Sequence, residues 1–254
     1  MYRHIGSASL IVLAAAVMGS QVRAEELVVS AAISLKECFL SLGEQFEHQY
    51  PGSKIVFNFA ASGALASQIE QGAPADVFAA ASYGEINRLD SKHLIQAGSI
   101  KPFARNKLVV IVPRSARRLS SFEELSTVEH VTIGNPDTVP AGRYAAHALG
   151  RSRIYQNLLS QHRLVLAESV RQALAYVQSG NVDAGIVYLT DVRSSNQVVV
   201  CFSVPDALCE PIVYPIAVVQ DSKHVKLGLC FIEFIRGATG RSVLKKMGFP
   251  PADK

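Results

Sequence analysis

From Leu27 onward the chain alternates short β-branched apolar runs with segments of helical period, the pattern required by parallel sheets covered with helices. Strands are predicted at residues 27–31, 54–59, 77–81, 108–112, 131–134, 164–166, 185–188, 198–202 and 215–219. Helices are predicted at 35–50, 64–71, 83–90, 122–125, 143–149, 154–159, 171–179 and 224–236. Gly72 with Pro74 stops the second helix, and Gly180 with Asn181 stops the one before the strand at Gly185. Two apolar runs have no covering helix of their own. One ends in Pro113 and the other carries Pro215, which suits strands passing between two lobes rather than central ladder positions. The expected architecture is therefore α/β with two lobes, each a mainly parallel sheet, joined by two crossing strands. Residues 25–105 plus 215–254 would build the first lobe and 106–214 the second, and a chain of 254 residues suits two modest units of this kind.

Ahead of this pattern stand Arg3, His4, an apolar run from Ala8 to Met18, and Val22-Arg23-Ala24, whose last small residue suits signal peptidase. The run is shorter than the roughly 20 residues that span a bilayer, so residues 1–24 read as a cleaved secretory signal rather than an anchor. Glu25 and Glu26 follow where a lipid-bearing Cys would stand, so a soluble periplasmic protein is expected. An exported chain can form disulfides. Cys201 and Cys209 flank a turn-like Pro205-Asp206 and can bridge across it, whereas Cys38 and Cys230 suit buried thiols as well as a bridge. The seven histidines are scattered, and no zinc-ligand spacing occurs. Charged residues make up 18%, and the 25 Lys and Arg against 21 acids are spread along the chain. That distribution excludes a basic arm for nucleic acid.

Four strand ends lead into helix-start signals, each offering backbone N–H groups that lack an internal acceptor. Ser34-Leu35-Lys36-Glu37 and Ser169-Val170-Arg171-Gln172 have capping-box spacing, Ser62-Gly63-Ala64 follows the second strand, and Pro140-Ala141-Gly142 places Pro where a helix tolerates it best. One such cap means little. Four of them beyond strand ends describe a cleft that attracts anions, since each helix start carries about half a positive charge. Arg143 and Arg171 fall in first helical turns, and pointing into solvent is the reading favoured over ligation.

These residues resemble the periplasmic molybdate-binding proteins of ABC importers, over nearly the whole mature chain. The resemblance is carried by Ala31-Ala32-Ile33-Ser34-Leu35, Phe59-Ala60-Ala61-Ser62, Gln71-Gly72-Ala73-Pro74-Ala75-Asp76, Val139-Pro140-Ala141-Gly142-Arg143-Tyr144-Ala145, Ser169-Val170-Arg171-Gln172-Ala173-Leu174, Gly185-Ile186-Val187-Tyr188 and Met247-Gly248-Phe249. It implies the type II periplasmic-binding fold and a molybdate or tungstate ligand held without a cofactor. Ser34 and Ser62 would donate hydroxyl and amide protons, Ala141 and Val170 backbone N–H groups, and Tyr188 its phenol. Molybdenum would thus enter only as molybdate, through these residues. A membrane permease is the implied partner, and a monomer is expected. The chain has Ser62-Gly63-Ala64 where many relatives continue the serine run, and Ile33 where Ala is usual.

An exported enzyme would need a nucleophile elbow or a metal motif, and neither G-x-S-x-G nor H-E-x-x-H occurs. A carboxylate binder would place an Arg against its ligand, and none matches a contact position. Sulfate, as another oxyanion on the same fold, is the alternative cargo. Tyr188 on spacing alone reads as a core-edge tyrosine with a wet hydroxyl; the resemblance places it in the site.

Overall fold

The computed structural model describes residues 25–193 and 195–252, so the leader assigned to 1–24 lies outside the described residues. The strands are β1 (Glu25–Ala32), β2 (Ser53–Ala60), β3 (Val77–Ala79), β4 (Lys101–Asn106), β5 (Leu108–Pro113), β6 (Val131–Gly134), β7 (Leu164–Ala167), β8 (Ala184–Tyr188), β9 (Val198–Ser203) and β10 (Ile212–Val218). The helices are α1 (Lys36–Gln49), α2 (Ser62–Glu70), α3 (Tyr83–Asp90), α4 (Pro140–Arg151), α5 (Tyr155–Ser160), α6 (Val170–Gln178), α7 (Leu189–Val192), α8 (Val225–Arg236) and α9 (Ala238–Lys246). The helix expected at 122–125 is a 3-10 turn, Glu123–Ser126.

The strands form two five-stranded sheets of the same design, ordered β2-β1-β3-β10-β4 and β7-β6-β8-β5-β9. β1 lies parallel to β2 and β3, and β10 runs antiparallel to β3 and β4. In the second sheet β6 lies parallel to β7 and β8, while β5 runs antiparallel to β8 and β9. Each sheet therefore has four strands in one direction and one reversed, β10 in the first and β5 in the second, in each case the strand that follows a crossing between the sheets. The chain passes from the first sheet to the second at Lys107 and returns between Ser203 and Ile212.

The two crossing runs correct one expectation. Both occupy central ladder positions, paired on either side, despite their prolines. Pro215 is accommodated because the register with β4 shifts between Tyr214 and Pro215, and Pro113 is the last residue of β5. β4 has no counterpart among the strands that the sequence pattern predicts. Its sequence, Lys101-Pro102-Phe103-Ala104-Arg105-Asn106, carries a proline that an edge strand tolerates, and Pro250 closes its outer side by accepting from the Arg105 amide at 2.8 Å.

Helices cover both sheets. In the first lobe α1, α8 and β4 bury a cluster in which Phe231 meets Phe39 and Phe46, with ring centroids 6.3 and 5.2 Å apart and near-perpendicular planes. Core strands such as β5 and β8 are apolar throughout because both faces are covered. All four cysteines are free thiols. The bridge considered between Cys201 and Cys209 is not formed; Cys209 Sγ instead lies 3.3 Å from the Glu210 carbonyl oxygen.

Candidate functional site

The five residues assigned from the sequence, Ser34, Ser62, Ala141, Val170 and Tyr188, all line one small cavity between the sheets. Its wall is completed by Ala32, Ile33, Ala61, Ala81, Val139 and Pro140, and it contains no charged side chain. About 10 Å³ is open to the centre of a water-sized sphere, roughly one water's worth, so the two lobes meet closely over it.

Each of the five is set by local structure. Ser62 is the first residue of α2, and its Oγ accepts from the Ala81 amide at 3.0 Å, which leaves the hydroxyl proton to be donated elsewhere. Ala141 follows Pro140 at the start of α4. Val170 opens α6, where Ser169 caps by accepting from the Gln172 amide at 3.1 Å, and Gln172 reaches back to the Glu168 amide at 2.6 Å. Tyr188 ends β8, is 1% exposed, and aims its hydroxyl at the Ala81 carbonyl of the other lobe at 3.5 Å.

Ser34 departs from the capping role expected of it. The chain leaves β1 through a 3-10 turn, Ile33–Leu35, so that α1 begins one residue later with no side-chain cap. Its Oγ pairs instead with the Tyr214 hydroxyl at 3.2 Å, and Tyr214 accepts from Asn106 Nδ2 at 3.0 Å. Asn106 also donates to Thr190 Oγ1 at 2.8 Å, so residues far apart in the chain hold Ser34 from behind. Glu37, the other half of the presumed box, turns to Arg171.

The arginines correct the solvent-pointing reading. Arg143 reaches across the cleft to Glu85 at 2.6 Å, while Arg171 bonds Glu37 across it and Asp191 within its own lobe at 2.7 Å. Neither lines the cavity. Among the described residues no group of three or more His, Cys, Asp or Glu is placed to hold a metal ion.

The electrostatics favour donation. Burial, reinforced by the neighbouring Tyr214, holds the Tyr188 phenol well above its ordinary pKa, so it stays protonated at any physiological pH. Burial likewise raises Tyr214. Such a cavity offers protons and no negative charge, which suits an unprotonated anion. Asp191 behaves differently: burial outweighs the attraction of Arg171 and pushes its carboxyl up to about 7. Because the folded value lies above the ordinary 3.8, this group's contribution to stability is fully present below 3.8 and is lost as the pH rises to about 7. Urea-unfolding midpoints measured across that window are expected to show this loss in the native chain and not in Asp191→Asn.

Two sheets of one design, crossed twice by the chain and closing helix starts over a shared uncharged cavity, define a two-lobed solute-binding protein. The family model for bacterial extracellular solute-binding proteins matches residues 27–250. The chain belongs to that family, which binds and delivers solutes and is not a family of enzymes. It is 33% identical over 227 residues to the molybdate-binding protein ModA of Mycobacterium tuberculosis H37Rv, covering 89% of this chain and 85% of that one. With ModA of Escherichia coli K12 it shares 31% identity over 93% of this chain and 94% of the relative. Among solved structures it is similar to the periplasmic molybdate-binding protein of Azotobacter vinelandii, with a TM-score of 0.80, 25% identity, and coverage of 89% of this chain and 100% of that chain. No helix among the described residues is long and apolar enough to cross a membrane.

Proposed function

We propose that the chain captures molybdate, or its congener tungstate, between its two lobes and delivers it to the membrane permease of an ABC importer. The observation that carries this reading is the cavity's lining: Ser34, Ser62, Ala141, Val170 and Tyr188, drawn from both lobes, with no charged side chain. Ser34 and Ser62 would supply hydroxyl and amide protons, Ala141 and Val170 their amides, and Tyr188 its phenol. Both ions are tetrahedral dianions without a proton at neutral pH, so a donor-only cage satisfies every oxygen. Hydrogen bonds to a charged acceptor contribute roughly 1.5 to 3 kcal/mol each, enough collectively to offset desolvation and closure. Phosphate carries a proton for part of its population, and that O–H would face another donor. Sulfate has no such proton but shorter bonds, so a cavity fitted to the larger ion leaves its donors under-satisfied. The names of the relatives support the same cargo. Residues 1–24 would direct export and be removed, and the mature protein would act as a periplasmic monomer.

Calorimetric titration with molybdate, tungstate, sulfate and phosphate tests the reading. Tight binding of the first two with no heat from the others is expected. Preference for sulfate would overturn the cargo and keep the fold's role. Ser62→Ala removes a buried donor, and its affinity for molybdate is expected to fall by about 1 to 3 kcal/mol in the same titration.

A further inference from the structure

We propose that Arg143 and Glu85 form a latch across the cleft that sets how fast the bound anion is released, an inference that rests on the proposed cage. Arg143 lies in the first turn of α4, two residues after Ala141, and Glu85 lies in the first turn of α3 in the other lobe. They meet at 2.6 Å with side-chain exposures of 33% and 3%. Neither lines the cavity, so the pair is a positioning element and not a ligand.

Three features make it a latch. Glu85 is held in place before Arg143 arrives, because the Ser82 hydroxyl donates to its other oxygen at 2.5 Å while capping α3 through the Gly84 amide at 3.2 Å. Gly84 leaves bare backbone beside the guanidinium; a Cβ there would sit 2.8 Å from Arg143 Nη1. Finally, a cation in a first helical turn is disfavoured by the helix dipole, whereas a carboxylate there is favoured. Opening the cleft would restore that repulsion at α4, and closing it sets Glu85 against the charge. The second bridge, Arg171 to Glu37, is weaker as a latch. Glu37 is 52% exposed, and Arg171 keeps Asp191 as a partner in its own lobe whether the cleft is open or shut.

The test combines release kinetics with a readout of closure that needs no ligand. The Gly63 amide donates to the Thr138 carbonyl across the cleft at 2.9 Å, so its hydrogen exchange reports closure. In Glu85→Gln, which keeps an acceptor for Ser82, the dissociation rate of molybdate in stopped-flow displacement by tungstate is expected to rise roughly five- to thirtyfold. Association should change far less, and Gly63 exchange should accelerate. Arg143→Gln should act similarly and the double variant no more than either alone. Gly84→Ala, with both charges intact, should shift release in the same direction, and Glu37→Gln by less than about threefold. Unchanged release and unchanged Gly63 exchange in Glu85→Gln would overturn the latch. If the native protein binds no oxyanion, the proposed cargo fails, and Gly63 exchange in the native chain against Glu85→Gln still decides the latch.

Discussion

Gly63→Ala is expected to weaken molybdate binding by about a hundredfold while leaving the ligand-free protein as stable as before. A Cβ at position 63 would lie 2.5 Å from the Thr138 carbonyl oxygen and 2.7 Å from its Cα. Both are backbone atoms of the facing lobe, so no flexible side chain can yield. Overpacking of this kind costs about 1 to 3 kcal/mol, and here the cost falls on the closed form alone, because Thr138 approaches only when the lobes meet. With the lobes apart, Ala is the better residue in the first turn of α2, by up to about 1 kcal/mol. Because the ligand-free chain can open and so escape the clash, a thermal melt without ligand should change little, and calorimetry should show the lost affinity. Wild-type affinity in this variant would mean that binding does not need the closure seen at Gly63.

Val170→Pro isolates a single backbone donor. Val170 is the first residue of α6, the position at which proline is best accepted, and Ser169 before it is extended at φ −154° and ψ 162°, as a residue preceding proline prefers. The helix and its Ser169 cap should survive. The amide proton is lost, and the ring Cδ takes its place at the cavity wall. The affinity is expected to drop by at least about 1.5 to 3 kcal/mol, roughly ten- to a hundredfold, with little change in unfolding. Val170→Ala keeps the N–H and should bind within a few-fold of the native chain. If the two variants bind equally well, the amide of Val170 is not a donor to the ion.

Much of this fold was legible because the pattern of apolar runs is local. β6 runs from Val131 to Gly134 and α3 from Tyr83 to Asp90, as the periodicity predicts. β4 is not legible, since Lys101-Pro102 shows no alternation and its strand partner, β10, arrives more than a hundred residues later. α9 buries only Gly240, Val243 and Leu244, too few for a helical stripe to stand out. At the site, spacing marked the helix starts but misjudged Ser34, whose capping motif lost to Tyr214 and Arg171, partners supplied by distant strands and the facing lobe. The Asn106, Thr190 and Tyr214 support had no sequence signal for the same reason. Tyr188 is marked by the family resemblance and not by its position at the end of an apolar strand. Arg143 and Arg171 read as solvent-facing because nothing local announces a carboxylate across a cleft.

The position of the bound ion is decisive. Anomalous diffraction from crystals grown with tungstate measures this directly, since the heavy atom identifies itself. The expected result is one strong peak between the two sheets, within hydrogen-bond reach of donors on Ser34, Ser62, Ala141, Val170 and Tyr188. A tungsten atom bound elsewhere, or a cavity without one at saturating tungstate, would contradict it.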